Sequence, residues 1–497
     1  MFRRLPLTLG AAALAAATLI PLPPAQAAAP GKRHVVVFGL DGVRWDVLQQ
    51  VDAPAIKSLI AQGYASQTWL YSSPLAQTSS GPGWATGLTG VWPDKHKVKD
   101  NSFSGNDLKS HPDFLTRVEQ SSAAFSTYAA LDWKPIGDRI ITGGIDRKFV
   151  LDGDADGYTV DDPKVAADAS AHLKNNGPHA SFVYFGNPDI AGHDSGGASA
   201  AYREAIETAD RQIGQVIAAA KSRPTYAEEE WAFVVTTDHG HTDGGGHGGS
   251  SWQERQSFVV AAGPGIPHSA PAVKARNVDV AATVLDYLGV ARPAAYDGVP
   301  VTRTPSDPFD ALSGSLKARV DETGIPASTL GWTHAAPSGW RIDTTGLGTG
   351  GVTEWRGWSF TNDEFWTSTD RGQDRENNVR ARGVFAVADA DEWADKSFSG
   401  TFNSTLVSAP YDVAGKSGVR LGFSSHYLQE GNQKAEVFVS FDGGADTRVL
   451  AYNAHVKAKV ENLAVTVPSG ARQMTVKWRL SNAGNNWYWA VDAPSVS

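Results

Sequence analysis

Between residues 34 and 301, short runs of apolar residues alternate with longer stretches in which apolar residues recur at helical spacing. The runs are apolar at consecutive positions, which predicts strands buried on both faces of a parallel-type sheet. The clearest runs are residues 34–40, 180–185 and 231–235. Residues 200–220 predict an amphipathic helix, and residues 278–288 predict another, which ends at Gly289. We therefore predict an α/β domain at residues 31–305, with helices on both faces of its sheet.

The pattern changes after residue 305. Residues 306–338 are rich in proline, serine and threonine and lack a hydrophobic period, which predicts a linker. Residues 435–441 then alternate between apolar and polar side chains, and Asp442-Gly443-Gly444 connects them to residues 447–452, as in a β-hairpin. Further strands are predicted at 473–480 and 486–495. These features predict an all-β sandwich accessory domain at residues 339–497, and residues 486–492 resemble the last strand of jelly-roll modules.

Nine of the 16 tryptophans lie after residue 305, between Trp332 and Trp489. Tryptophans in a small sandwich usually fill its core. The alternative is that some are exposed and stack on sugar rings, so that the domain contacts carbohydrate or a cell surface.

Charge and composition narrow the range of functions. Lysine and arginine number 44 against 53 aspartate and glutamate, a net charge of −9 that argues against a nucleic-acid duplex or an anionic membrane as the partner. The chain has no cysteine, which excludes disulfides, thiolate zinc sites and cysteine nucleophiles.

Residues 1–27 have the features of a signal peptide. Arg3 and Arg4 precede an apolar stretch at 9–20 that is too short to span a bilayer, and Ala25-Gln26-Ala27 offers a cleavage site. We expect a secreted, periplasmic or extracellular protein with no transmembrane segment. The paired arginines are compatible with the twin-arginine export route. The alternative interpretation of these residues is a buried N-terminal helix.

Aspartate and histidine follow three of the predicted strands. Open α/β sheets place their sites at the carboxyl ends of strands, and carboxylate and imidazole groups without thiolates suit Zn²⁺ or a similar divalent ion. One such residue alone is usually a turn or helix cap, but three clusters supply enough ligands for two metal ions. The candidates are Asp41, Asp189, His193, Asp238, His239 and His247.

A nucleophile is predicted at Ser80. Small hydroxyl residues at 78–80 lead into Pro82, which suits the first turn of a helix. A serine hydroxyl at a helix N-terminus lies where backbone N–H groups favour negative charge. Alone it would be interpreted as a helix cap, but beside divalent ions such a hydroxyl can be ionised.

These residues resemble a known family. The segment containing Ser80, Pro82, Thr89-Gly90, Pro93, His96 and Asn101 is similar to the nucleophile segment of the alkaline phosphatase superfamily, most closely that of the type I phosphodiesterase/nucleotide pyrophosphatase family. Asp189 with His193, and Asp238-His239-Gly240, match the family's second and third motifs, and residues 279–298 resemble its closing helix and loop. The resemblance covers residues 34–301.

The resemblance implies an alkaline-phosphatase-like sheet covered by helices on both faces, a metal cofactor and a role for each residue. It implies two divalent ions, with Zn²⁺ the best guess, one held by Asp189, His193 and His247 and the other by Asp41, Ser80, Asp238 and His239. His241 competes with His247, and we favour His247 because glycines flank it, whereas His241 lies very close in sequence to His239. Asn101 and the backbone N–H of Gly81 would bind the phosphoryl oxygens.

The implied activity is hydrolysis of a small phosphoester, such as a nucleotide diester, through a phosphoserine intermediate on Ser80. The Lys-x-Arg pair with which some monoesterases of the superfamily bind a terminal phosphate is not found; Lys134 is a partial substitute on a surface loop. A diester carries one negative charge where a monoester carries two, so we favour a phosphodiesterase.

Three alternatives stay open. The first is a phosphomonoesterase of the alkaline phosphatase type, which only the absence of the Lys-x-Arg pair disfavours. A sulfatase would usually carry arginine where this chain has Trp84. A secreted binding protein with an inactive α/β domain would be expected to have lost one of the site residues.

Overall fold

A computed structural model describes residues 31–268 and 273–497, so the predicted signal peptide lies outside the described residues. The first domain is built on a seven-stranded sheet. Its strands are β1 (Arg33–Leu40), β2 (Tyr64–Trp69), β3 (Thr127–Leu131), β4 (Arg147–Val150), β5 (Ala180–Phe185), β6 (Glu230–Thr237) and β7 (Gln256–Ala262). Their order is β2-β7-β6-β1-β5-β3-β4, and the five strands from β6 to β4 run parallel.

The predicted burial of the central strands on both faces is confirmed. In β1, Val35 and Val37 point into one hydrophobic core, while Val36 and Phe38 point into another on the opposite face. Side chains alternate across a strand, so consecutive apolar residues supply both cores.

Helices cover both faces. The helices of this domain are α1 (Trp45–Leu48), α2 (Pro54–Gln62), α3 (Ser80–Thr89), α4 (Pro93–His96), α5 (Phe114–Ser121), α6 (Gly153–Asp156), α7 (Tyr158–Asn176), α8 (Asn187–Ser195), α9 (Ala200–Lys221) and α10 (Asp279–Tyr287). Helices α3, α5 and α10 pack on one face of the sheet, and α2, α7 and α9 pack on the other. The two helices predicted from periodicity are α9 and α10. Of the helices in the described ranges, none has both the length and the apolar character needed to cross a bilayer.

The second domain is an antiparallel sandwich of a seven-stranded and a six-stranded sheet around one core. Its strands are β8 (Lys317–Ala318), β9 (Leu330–Thr333), β10 (Arg341–Asp343), β11 (Thr349–Gly350), β12 (Trp358–Thr361), β13 (Phe385–Asp389), β14 (Phe398–Ser399), β15 (Phe402–Val407), β16 (Tyr411–Asp412), β17 (Gly418–Tyr427), β18 (Lys434–Phe441), β19 (Thr447–Tyr452), β20 (Val456–Thr466), β21 (Gln473–Ala483) and β22 (Tyr488–Val496). Two short helices, α11 (Asp363–Trp366) and α12 (Ala390–Ala394), connect strands. The predicted hairpin is β18–β19.

The segment predicted as a linker differs from that expectation. Residues 306–338 contain β8 and β9, which pair with each other, and β9 also pairs with β12 in the larger sandwich sheet. Phe309 and Trp332 of this segment are buried in the sandwich core. Two isolated aromatic residues hold the segment in the sandwich core. Because they do not recur at a regular spacing, the sequence pattern does not distinguish this segment from a linker.

Eight of the nine tryptophans of this region are buried, and Trp487 is half-buried. They fill the sandwich core, so an exposed tryptophan platform for sugar stacking is not supported.

Arginine side chains join the two domains. Arg255 donates to Thr367 Oγ1 and Asp363 Oδ2 at 2.8 and 2.9 Å, and Arg276 donates to the carbonyl oxygens of Val379 and Ala381. From the sandwich, Arg382 donates to both carboxylate oxygens of the buried Asp279, each at 2.8 Å. Because these charges are removed from water, the domains are held in one arrangement by bonds that are costly to break.

We expect the Arg382→Ala substitution to lower the free energy of unfolding by about 3–5 kcal/mol, because it leaves the buried Asp279 without its ion-pair partner. The matched control is Arg303→Ala, since Arg303 pairs with Asp286 but its side chain is 73% exposed. The control should cost only about 0–1 kcal/mol. Urea unfolding followed by tryptophan fluorescence measures both, and equal shifts would contradict this view of the interface.

Candidate active site

Three adjacent parallel strands bring the predicted metal ligands to one edge of the sheet. β1 lies between β5 and β6. Asp41 directly follows β1, and Asp238 and His239 directly follow β6. After β5 the chain turns into α8, which carries Asp189 and His193 one helical turn apart, so both face the same way. The carboxyl ends of parallel strands share one edge, and therefore residues about 150 positions apart in the sequence meet here.

Ser80 is the first residue of α3 and lies among these side chains. Its Oγ is 3.4 Å from Asp41 Oδ1 and 3.3 Å from His239 Nε2, and the residue is 6% exposed. Close packing sets this position: a Cβ atom on Gly83 would lie 2.4 Å from the carbonyl oxygen of Asp238. Glycine at this point of α3 lets the helix approach the turn that bears Asp238 and His239.

The ligand atoms form three groups in which every pair of atoms lies within 4.8 Å. One group is Asp41, Asp238 and His239, which matches a predicted metal site. The others share Asp189, which groups with His193 and His241 and also with His239 and His247.

The sequence analysis favours His247 over His241 as a metal ligand, but in the structure both histidines lie beside Asp189. His247 Nε2 is 3.0 Å from His193 Nε2 and 3.8 Å from Asp189 Oδ1, while His241 Nε2 is 2.7 Å from the same Asp189 oxygen. Short sequence separation from His239 does not keep His241 away, since the ring centroids of the two histidines lie 5.7 Å apart and His241 contacts Asp189. Both histidines belong to the cluster.

Hydrogen bonds fix the orientation of the carboxylates. Asp41 Oδ2 accepts from Trp84 Nε1 at 2.9 Å and from the Tyr184 hydroxyl at 2.6 Å, and Asp238 Oδ1 accepts from Gly42 N at 3.1 Å. Sequence reasoning missed Trp84 and Tyr184 as functional residues. Tyr184 lies inside an apolar run, where only its hydroxyl distinguishes it, and Trp84 attracted notice only as a replacement for arginine.

Backbone carbonyls orient the imidazole rings. Nδ1 lies 3.1 Å from the Gly240 oxygen in His239, 3.0 Å from the Gly245 oxygen in His241 and 3.0 Å from the Thr78 oxygen in His247. A carbonyl oxygen only accepts, so Nδ1 carries the proton and Nε2 has its lone pair free for a metal. Thr78 also donates its hydroxyl to Gly249 O, which ties the His247 loop to the nucleophile segment.

The acidic groups strongly influence one another. Burial, and then the charge of Asp189, raise the pKa of Asp41 to about 7. Burial and the charge of Asp41 raise the pKa of Asp238 well above its ordinary value. Burial also opposes ionisation of Asp189, but contacts with the imidazoles, that of His241 first, hold its pKa below the usual range. Burial lowers the pKa values of His239 and His247, so both are neutral at pH 7.

This arrangement fits divalent cations. Within residues 31–268 and 273–497, no lysine or arginine forms an ion pair with Asp41, Asp189 or Asp238. In the same ranges the buried Asp238 Oδ2 has no hydrogen-bond partner. Buried carboxylates need compensating charge, and the surrounding free Nε2 atoms are ligands rather than positive partners. Carboxylate oxygens with imidazole nitrogens are a donor set that Zn²⁺ accepts.

The predicted substrate-binding groups lie in different surroundings. Asn101 is beside the nucleophile, and its Oδ1 accepts from Gly81 N at 2.7 Å. That bond orients the amide so that Asn101 Nδ2 is the donor left for a phosphoryl oxygen, while the Gly81 N–H is already engaged. Lys134 forms an ion pair with Asp138 one turn away, and both side chains are about half exposed.

Known proteins match the first domain. The sequence model described as type I phosphodiesterase/nucleotide pyrophosphatase matches residues 35–287, about half of the chain. GPI ethanolamine phosphate transferase 1 of Mus musculus is 27% identical over 271 residues, which are 50% of this chain and 27% of the transferase. Ectonucleotide pyrophosphatase/phosphodiesterase family member 7 of Mus musculus is 24% identical over 254 residues, 46% of this chain and 55% of that protein. The chain thus matches between about a quarter and about half of the length of these curated relatives.

Solved structures are similar at lower identity. Murine ectonucleotide pyrophosphatase/phosphodiesterase 5 is 22% identical with a TM-score of 0.33, over 42% of this chain and 58% of that one. A 2-O GAG sulfatase is 12% identical with a TM-score of 0.41, over 66% of this chain and 82% of that one.

We expect metal binding to release protons, and to release more of them at pH 6 than at pH 9. At pH 6 the metal-free protein holds a proton on Asp41, because the pKa of this carboxyl is raised to about 7, and a bound cation expels that proton. At pH 9 Asp41 is already ionised, so fewer protons leave. Zinc titration calorimetry in buffers of different ionisation enthalpy counts the released protons.

The control for this titration is Asp286→Asn, a carboxylate paired with Arg303 away from the cluster, which should leave the proton count unchanged. Binding heats at pH 6 that do not depend on the buffer would contradict the prediction.

Proposed function

The chain belongs to the type I phosphodiesterase/nucleotide pyrophosphatase family, and on that premise we propose that it is a secreted, two-metal phosphodiesterase. Its substrate would be a nucleotide or a similar small phosphodiester. The observation that carries the proposal is the placement of Ser80 Oγ, at the N-terminus of α3 and 3.3–3.4 Å from His239 and Asp41. Export is supported by the sequence of residues 1–27.

The residues of this chain would hold two ions. Asp41, Asp238, His239 and Ser80 would hold one, and Asp189, His193 and His247 the other. When bound, such ions lower the pKa of a serine hydroxyl and offset charge on a leaving oxygen. The carboxylates of Asp41 and Asp238 are kept in position by Trp84, Tyr184 and Gly42 N.

In the reaction, Ser80 Oγ loses its proton to solvent and attacks phosphorus in line with the leaving oxygen. The new Oγ–P bond forms as the bond from phosphorus to the leaving group breaks, and the leaving alkoxide takes a proton from water. Asn101 Nδ2 donates to a non-bridging oxygen as negative charge develops there. Water then attacks the phosphoserine, which releases the phosphomonoester product and restores Ser80.

The Ser80→Ala substitution should lower turnover by more than about 1,000-fold, because it removes the attacking atom. The matched control is Ser79→Ala, which removes the same atom one residue earlier, where the hydroxyl has no hydrogen-bond partner among the described residues. Turnover is followed with a nitrophenyl phosphodiester, and metal content and circular dichroism show that both variants are folded and loaded. Full activity of Ser80→Ala would rule out a phosphoserine route.

The zinc-loaded protein should hydrolyse a nitrophenyl phosphodiester faster than the matching monoester. The hydrogen-bond and ion-pair partners of Ser80, Gly81 and Asn101 within the described ranges include no lysine or arginine, and Lys134 is engaged by Asp138. A single negative charge therefore needs less compensation here than a double charge.

A preference for the monoester in that comparison would favour a phosphomonoesterase, and Lys134→Ala would then be the first variant to test. Inactivity on both substrates would favour a sulfatase or a binding protein. Release of the leaving group with transfer of the phosphoryl group to added glycerol would indicate a transferase, the activity named for GPI ethanolamine phosphate transferase 1.

A further inference from the structure

We propose that His241 is an additional protein ligand of the ion held by Asp189 and His193, so that this ion is bound by three imidazoles and one carboxylate. The inference rests on the proposed metal-dependent function and extends it to a residue outside the ligand set that the family resemblance implies.

The position of His241 is the first support. The residue is 0% exposed, and its Nε2 lies 2.7 Å from Asp189 Oδ1. Its ring centroid is 5.0 Å from that of His193 and 5.2 Å from that of His247. Asp189, His193 and His241 form one of the three compact groups of ligand atoms. His241 is therefore a member of the cluster, in contact with the carboxylate that the proposed ion shares.

The hydrogen bonds of the ring are the second support. His241 Nδ1 lies 3.0 Å from the Gly245 carbonyl oxygen and donates to it, so Nε2 is the nitrogen left to bind an ion, and it lies 2.7 Å from Asp189 Oδ1. His239 and His247 have the same carbonyl on Nδ1 and the same free Nε2, which is the usual arrangement of a metal-binding histidine.

The space around the ring is the third support. A Cβ atom on Gly42 would lie 2.7 Å from His241 Nε2, and one on Gly192 would lie 2.9 Å from the same atom. A Cβ atom on Gly197 would lie 2.9 Å from His241 Cβ. Glycines in three separate segments therefore leave the room that the side chain of His241 occupies.

A fourth protein ligand changes how firmly the ion is held. A catalytic zinc ion typically has three protein ligands and an open position. With His241 added, the ion at Asp189 should leave the protein more slowly than it does when this imidazole is removed. Chelator-induced release should therefore have one component that depends on His241 and another, from the ion at Asp41, Asp238, His239 and Ser80, that does not.

The experiment uses the full chain loaded with Zn²⁺ and, separately, with Co²⁺. Zinc release to excess EDTA and zinc content are measured for the unaltered protein, His241→Ala, His241→Gln and the control His172→Ala, whose ring stacks on Tyr128 outside the cluster. We expect His241→Ala and His241→Gln to accelerate the release of one of the two ions by more than about 100-fold, beyond the effect of losing an outer-shell partner, and to leave the release of the other ion unchanged. Their Co²⁺ visible spectra should change, and His172→Ala should match the unaltered protein in both measurements.

The glutamine variant separates two roles for His241. Its amide can donate a hydrogen bond to Asp189 but is a poor zinc ligand, so release from His241→Gln at the rate of the unaltered protein would overturn direct ligation. Unchanged release and an unchanged Co²⁺ spectrum in His241→Ala would also overturn it, while two ions in the unaltered protein would leave the proposed function standing. Failure of the unaltered protein to retain any ion would overturn both.

Discussion

Three neighbouring carboxylates, those of the buried Asp41 and Asp238 and of the partly buried Asp189, are the constraint on which the rest of the active site depends. Each raises the free-energy cost of ionising its neighbours, and the pKa values of Asp41 and Asp238 are raised accordingly. Among the described residues, the neighbouring groups are hydrogen-bond donors and neutral imidazoles, and none carries a fixed positive charge. Trp84 and Tyr184 donate to one oxygen of Asp41, and the neutral rings of His239 and His247 lie beside Asp189. Carboxylates in these surroundings need compensating positive charge, and the site fits divalent cations as its source.

The sheet explains why these groups could be predicted from the sequence. Residues that follow β1, β5 and β6 must meet, because the three strands are parallel neighbours. Continuous apolar runs identify the strands, and the polar residue after each run is visible without a structure. Ser80 could also be predicted from a local signal, because Pro82 marks the first turn of a helix.

What the sequence could not predict depends on contacts between distant segments. Tyr184 is one aromatic residue in an apolar run, and nothing local shows that its hydroxyl reaches Asp41. His247 was preferred to His241 on sequence separation, although His241 is buried and contacts Asp189. Trp332 lies in a Pro- and Ser-rich stretch, where its burial in the sandwich is decided by the partner strand β12 and not by its neighbours.

The sandwich also bears on the active site through the loop that carries His247. Glu254 accepts hydrogen bonds from the backbone N–H groups of Gly249 and Ser251, which closes this loop. The next residue, Arg255, binds Leu70 O and reaches Asp363 and Thr367 of the second domain. The loop is therefore anchored on one side by Thr78 near the nucleophile and on the other by the sandwich. The second domain therefore supports the loop that carries a candidate metal ligand, and this structural role does not require the second domain to bind a molecule itself.

The central claim is that the buried carboxylates hold two ions beside Ser80, and anomalous X-ray diffraction at the zinc absorption edge tests it most directly. Crystals of the zinc-loaded chain should show two anomalous peaks, one among Asp41, Asp238, His239 and Ser80 and the other among Asp189, His193 and His247. Strong diffraction data with no peak among these side chains would contradict the claim.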